Sequence, residues 1–274
     1  VNAYEHASLL VAAGLYLLSA LFCHGRWPLR GDRAGRWALA AAAAGCGLHA
    51  VAIVLCALTA RHWVLTELRA TLLLVGWAIP ATYLVALRRA PIGLGAIAMA
   101  LAAAAVIGAL VAPAQPLAQP LDHPRFFAVH VAAAVAGYAA FSLAFCCSVA
   151  YLVQEALLKR KRLVGFSQRL PSLESAEAMG ARLAALGFIL WTLMIATGAL
   201  LAWLEVGEWW SWTPKQTWSL LTWTAYAAYT HLRTIGDYRG RRTVLILAVG
   251  FVCAGLTYLL AGYLGDPYHP FHAS

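Results

Sequence analysis

The chain has 274 residues, of which 62% are hydrophobic and only 11% charged. A soluble domain carries about 25% charged residues, so a chain this apolar could not keep a polar exterior in water; lipid is its solvent. The net charge of +9 does not indicate nucleic-acid binding, because the basic residues sit in short loops between apolar runs.

The sequence starts at Val1, so a short leader or an initiator residue is expected to be missing, and no secretory signal precedes the first apolar run. A membrane-spanning helix needs roughly 20 apolar residues. Reading between charged and Pro-rich breaks gives eight: 6–23, 37–58, 68–87, 92–112, 126–153, 183–204, 217–235 and 243–263. Sixteen of the twenty Lys and Arg residues fall in the odd-numbered loops, beginning with Arg26, Arg30, Arg33 and Arg36. Basic loops stay cytoplasmic, so both termini are expected on the non-cytoplasmic side. The expected fold class is all-α, a polytopic membrane protein of about eight helices forming one integral membrane domain over 1–274.

Two outer segments stand apart. Residues 113–125 (PAQPLAQPLDHPR) are too Pro-rich for a regular helix. Between spans six and seven, residues 205–223 hold Trp209, Trp210, Trp212, Trp218 and Trp223, with Lys215 among them. An aromatic belt at the membrane interface accounts for one or two tryptophans. This density equally fits an indole platform for a large flat ligand, with Lys215 available for a carboxylate. In the cytoplasmic loop before span six, Ser172 precedes an acidic, helix-forming run and is expected to start a short surface helix.

Nine histidines are present. His130 lies at the outer start of span five, His269 and His272 lie beyond span eight, and His231 is near the inner end of span seven. His49 falls inside span two, behind Gly45 and Gly47. An imidazole within the bilayer is a functional candidate by default, and a hydrogen bond to a neighbouring helix is its structural alternative. The six cysteines lie in or beside apolar runs and form neither CxxC nor CxxCH, so they read as buried apolar residues, with no zinc site and no covalently attached haem expected. Outer histidines flanking a tryptophan platform fit an iron porphyrin held by axial imidazoles.

The run WWSWTPKQTWSLLTWTAYAAYTHLR, Trp209–Arg233, resembles the tryptophan-rich signature of the CcsA/ResC family of cytochrome c assembly proteins, within a wider group of haem-handling proteins with a "WWD" motif. The segments His130–Arg162, Leu170–Phe188 and Gly240–Phe251 resemble the family too, whereas the first 110 residues match only as hydropathy.

The resemblance implies cytochrome c biogenesis in the bacterial plasma membrane, with the working site on the periplasmic side. It implies that haem b is bound and presented for covalent attachment to a CxxCH apocytochrome c, together with a CcsB/ResB-type membrane partner in a haem lyase. His130 and His269 take the positions of the two outer iron ligands, with His272 a rival for the second because PYHPFH replaces the usual local context. The tryptophans would pack the porphyrin, and His231 matches a third family histidine, with His24 nearer its depth than His49. Two departures are visible: Thr213 and Gln216 stand where the family carries acidic residues. They leave open two further readings, a HemX-like regulatory haem protein and a haem b electron-transfer subunit of a respiratory complex.

Overall fold

The computed structural model describes residues 3–24, 33–59, 68–87, 90–112, 122–161 and 168–264. Within them lie eight α-helices: α1 (Ala3–His24), α2 (Arg33–Thr59), α3 (Leu68–Thr82), α4 (Ile92–Val111), α5 (Pro124–Lys159), α6 (Leu173–Val206), α7 (Pro214–Thr234) and α8 (Arg241–Leu264). The protein is an all-helical polytopic membrane protein. Helices α1 to α6 are each long and apolar enough to cross a bilayer, that of α3 counted with the turn that follows it. Helix α7 is not among them; it carries Lys215, Gln216 and Arg233 and a series of threonines.

Three local features differ from the sequence reading. Ser172 does cap a helix, its hydroxyl accepting from the Ser175 N–H at 3.2 Å, but that helix is no separate surface segment. It is the first turn of α6, which runs unbroken for 34 residues. No proline interrupts it, and Gly180 sits where α5 comes close, an added methyl there meeting Cys147 at 3.3 Å. Helix α5 likewise extends beyond its apolar run, starting at Pro124, whose missing N–H costs nothing in a first turn. In α3, Pro80 cannot donate to the carbonyl four residues back, and the helix widens into a π turn over Tyr83–Leu87.

Packing divides the chain into two groups that share one core. Helix α1 lies on α2 and α4, with α3 on α4; α5 pairs along its length with α6 and also contacts α8, which carries α7. Helices α3 and α4 meet α5 and join the groups. Lipid supplies no hydrophobic drive between helices, so close packing of small residues has to hold them. A methyl on Gly187 of α6 would come within 2.5 Å of the Phe141 ring on α5. Phe141 in turn stacks on Tyr226 of α7 at 3.6 Å between centroids.

Where the basic loops cluster, one carboxylate ties three elements. Glu177 on α6 pairs with Arg233 at the end of α7 and accepts the Gly240 N–H at 3.0 Å, ahead of α8. Glu177→Ala therefore removes two bonds to a charged acceptor. It should lower stability by about 1.5–3 kcal/mol, read as thermal unfolding of the detergent-solubilised protein, with Glu177→Gln losing less.

Candidate functional site

At the opposite end of the bundle, the start of α5, the end of α6 and the start of α7 enclose a cavity of about 240 Å³. Of the residues singled out in the sequence, His130, Trp210, Thr213, Lys215 and Gln216 line it, together with Glu205 from the start of the tryptophan-rich segment. The remaining wall is largely apolar and includes residues outside that segment, among them Tyr138, Trp191 and Gly198.

The sequence folds this way because each helix end is fixed locally. Helix α6 stops at Gly207, which takes a left-handed φ of 79° and bonds its N–H to the Trp203 carbonyl at 2.9 Å. Helix α7 starts at a reciprocal cap. The Thr213 hydroxyl accepts from the Gln216 N–H at 3.3 Å, and the Gln216 side chain accepts from the N–H groups of Ser211 at 2.9 Å and Thr213 at 3.4 Å. This capping box satisfies donors that a helix start leaves open. The two departures from the acidic family pattern thus occupy the N-cap and its reciprocal position, where Thr and Gln supply the same acceptor oxygens without charge. The N-terminus of α7, with its partial positive charge, and Lys215 both border the cavity.

His130 is held from α6. Its Nδ1 lies 2.9 Å from the Met194 carbonyl oxygen and 3.3 Å from the Thr197 hydroxyl. A carbonyl can only accept, so the ring hydrogen sits on Nδ1 and the lone pair stays on Nε2. Gly198 makes room for the ring: a methyl there would approach its Cε1 to 2.9 Å. Behind it, Trp191 is fully buried, donates its Nε1–H to the Ser219 carbonyl at 3.0 Å and meets Tyr138 edge-on at 4.8 Å. That indole joins α6, α7 and α5 under the cavity floor. Trp210 Nε1, at the cavity, is buried without a hydrogen-bond partner among the described residues.

The other predicted residues are distributed differently. Trp209 and Trp212 are exposed, Trp209 stacked on Trp203 at 5.2 Å and Trp212 held in a left-handed turn with φ 55°. Trp218 is half-buried on α7 outside the cavity. His231 is exposed in the last turn of α7, about 24 Å along the helix from Lys215 at 1.5 Å per residue. His49 is fully buried between α2 and α1, its Nδ1 3.3 Å from the Tyr16 hydroxyl, and its Nε2 has no partner among the described residues. Gly45 admits the Tyr16 ring, whereas Gly47 faces open space. His269 and His272 lie outside the described residues, as does the Pro-rich stretch over 113–121.

Trp191 and Gly198 escaped the sequence reading, although a signal was present. Gly180, Gly187, Trp191, Met194 and Gly198 fall at helical spacing on one side of α6, the side that meets α5. If Thr213 and Gln216 serve as caps, Thr213→Ala should cost about 1 kcal/mol of stability. Thr213→Asp and Gln216→Glu should cost almost nothing, measured by thermal unfolding in detergent.

The family model described as cytochrome C assembly protein matches residues 1–269. A cytochrome c biogenesis protein CcsA of Parasynechococcus marenigrum is 31% identical over 241 residues, covering 77% of this chain and 78% of that protein. The CcsA of a Synechococcus species is 32% identical over the same shares. In the CcsA of Porphyra purpurea a shorter stretch of 105 residues is 39% identical, 38% of this chain and 33% of that protein. Matched over nearly its full length, this chain belongs to the CcsA family of cytochrome c assembly proteins.

Proposed function

We propose that this protein acts in cytochrome c biogenesis by binding haem b in the cavity beside His130 and presenting it, on the non-cytoplasmic side of a bacterial plasma membrane, to a CxxCH apocytochrome c. The observation that carries this reading is the His130 ring. Its Nδ1–H is committed to the Met194 carbonyl, and its Nε2 is left on a ring that lines an apolar cavity. Metal-binding imidazoles are oriented by this kind of second hydrogen bond, which fixes the tautomer and raises the basicity of the other nitrogen.

Several other groups at the cavity fit haem as well, while the Glu205 carboxylate, also in its wall, accepts from the His123 N–H. Apolar walls suit the macrocycle, the unpartnered indole N–H of Trp210 is a hydrogen-bond donor, and Lys215 at the start of α7 supplies positive charge for the carboxylates. A volume of about 240 Å³ is below the roughly 300–1,000 Å³ of pockets that bury most of a ligand. Haem held there would remain partly accessible, which is what presentation to a second protein needs. When bound, haem supplies the iron and the vinyl carbons to which cysteine thiols add; the chain supplies binding and orientation. His269 or His272 would provide a second imidazole to hold the haem, and His231, at the far end of α7, would belong to a separate site. A CcsB/ResB-type membrane subunit is the partner this reading calls for. Thr213 and Gln216 keep the capping contacts of α7 without the charge, which supports this reading as far as the fold of the site is concerned.

The test is haem content by absorption spectroscopy of the purified protein, together with holocytochrome c formation in a bacterium lacking its own synthase and supplied with the partner subunit. His130→Ala should lower haem content by about tenfold or more, the range typical of lost metal-site interactions. Gly198→Ala, which leaves every ligand in place but crowds the ring, should reduce it in the same direction. Unchanged haem in both variants would refute the assignment.

A further inference from the structure

The basic end of the bundle holds a second cavity, of about 280 Å³, that the reading above does not use. Ser19 and Cys23 from the end of α1, Gly35 from the start of α2, Tyr83 from the π turn, Ile92 from the start of α4 and Arg169 ahead of α6 line it. Among the described residues, no acidic residue and no histidine lines it. Arg169 is fixed rather than loosely placed: its backbone lies against α4, where a methyl on Gly93 would come within 2.7 Å of its carbonyl oxygen. It has no acidic partner among the described residues.

Two further features point to an anion. Helix α4 opens at Pro91 with no side-chain cap and no acidic residue in its first turn; the Leu94 N–H is met by the Pro91 carbonyl at 3.0 Å, and no side-chain charge offsets the positive end of the dipole there. Tyr83 is only 3% exposed and lines the cavity, and its hydroxyl, against Gly95, has no hydrogen-bond partner among the described residues, which leaves it to donate to a ligand. The depth of the cavity is marked by Trp37, 58% exposed on the same turns of α2 as Gly35. Exposed Trp favours the head-group level of a bilayer, and the exposed Arg33 and Arg36 beside it reach toward that layer.

We infer that this cavity takes the head group of an anionic membrane phospholipid from the leaflet on the basic side, its phosphate held by Arg169, the Tyr83 hydroxyl and the first turn of α4. Basic pockets between membrane helices on this side bind such head groups. A porphyrin is the weaker occupant, because the lining offers its iron no imidazole.

The test is native mass spectrometry of the full-length protein, delipidated in detergent and titrated with phosphatidylglycerol or phosphatidylcholine. We expect about a fivefold preference for phosphatidylglycerol, the effect of one basic residue near an anionic surface. Arg169→Gln should abolish the preference and Tyr83→Phe should weaken it, both with haem content at the wild-type level. Should the arginine variant fail to fold, the phenylalanine variant decides alone. Equal affinity for the two lipids, or a preference that survives both substitutions, would overturn the inference. So would displacement of the lipid by inorganic phosphate, which would mark a free-anion site, or by iron protoporphyrin.

Discussion

The candidate site depends on how closely α5 and α6 approach one another. Neither helix has a hydrophobic reason to prefer its partner over lipid. What joins them is shape and a few polar anchors: Gly180 against Cys147, Gly187 against Phe141, and the His123 N–H ahead of α5 donating to the Glu205 carboxylate of α6 at 3.2 Å. That approach brings the Met194 carbonyl within 2.9 Å of His130. A helical carbonyl normally serves its own helix, and here it also accepts from the imidazole of the neighbouring one. The orientation of His130 is therefore a property of the helix pair and not of its own helix.

The same logic separates the tryptophans. A cluster of indoles in a short segment reads as one platform, yet the turn between α6 and α7 sends them in different directions. The left-handed positions at Gly207 and Trp212 bend the chain twice within six residues. Trp210 faces the cavity while Trp209 and Trp212 face outward. Neither of the outward pair lines the cavity.

Much of this was legible in the sequence. The helices follow from apolar runs of the right length, and the alternation of basic loops already gave their order. The caps at Ser172 and at Thr213 with Gln216 carry recognisable spacing, although the charge lost at 213 and 216 drew attention away from it. What stayed hidden depends on contacts between helices. Nothing local says that Met194 offers its carbonyl to another helix, or that Gly198 is needed for an imidazole and not for a turn. Burial pointed to His49, and burial is what the structure gives it, against Tyr16 and away from the cavity. The inner cavity was hidden for the same reason, since Tyr83 and Arg169 are far apart in sequence and meet only through the packing of α1, α2 and α4.

The most direct test of the central claim asks whether one nitrogen, Nε2 of His130, is what the cavity contributes to iron. His130→Gly leaves a gap the size of the ring, next to Gly198 and the Met194 carbonyl. The purified variant should lose its haem absorption band and recover it when free imidazole is added, because the small molecule can occupy the gap and restore the ligand. A variant that keeps the wild-type spectrum without imidazole would contradict the account, as would one that stays haem-free at every imidazole concentration while remaining folded.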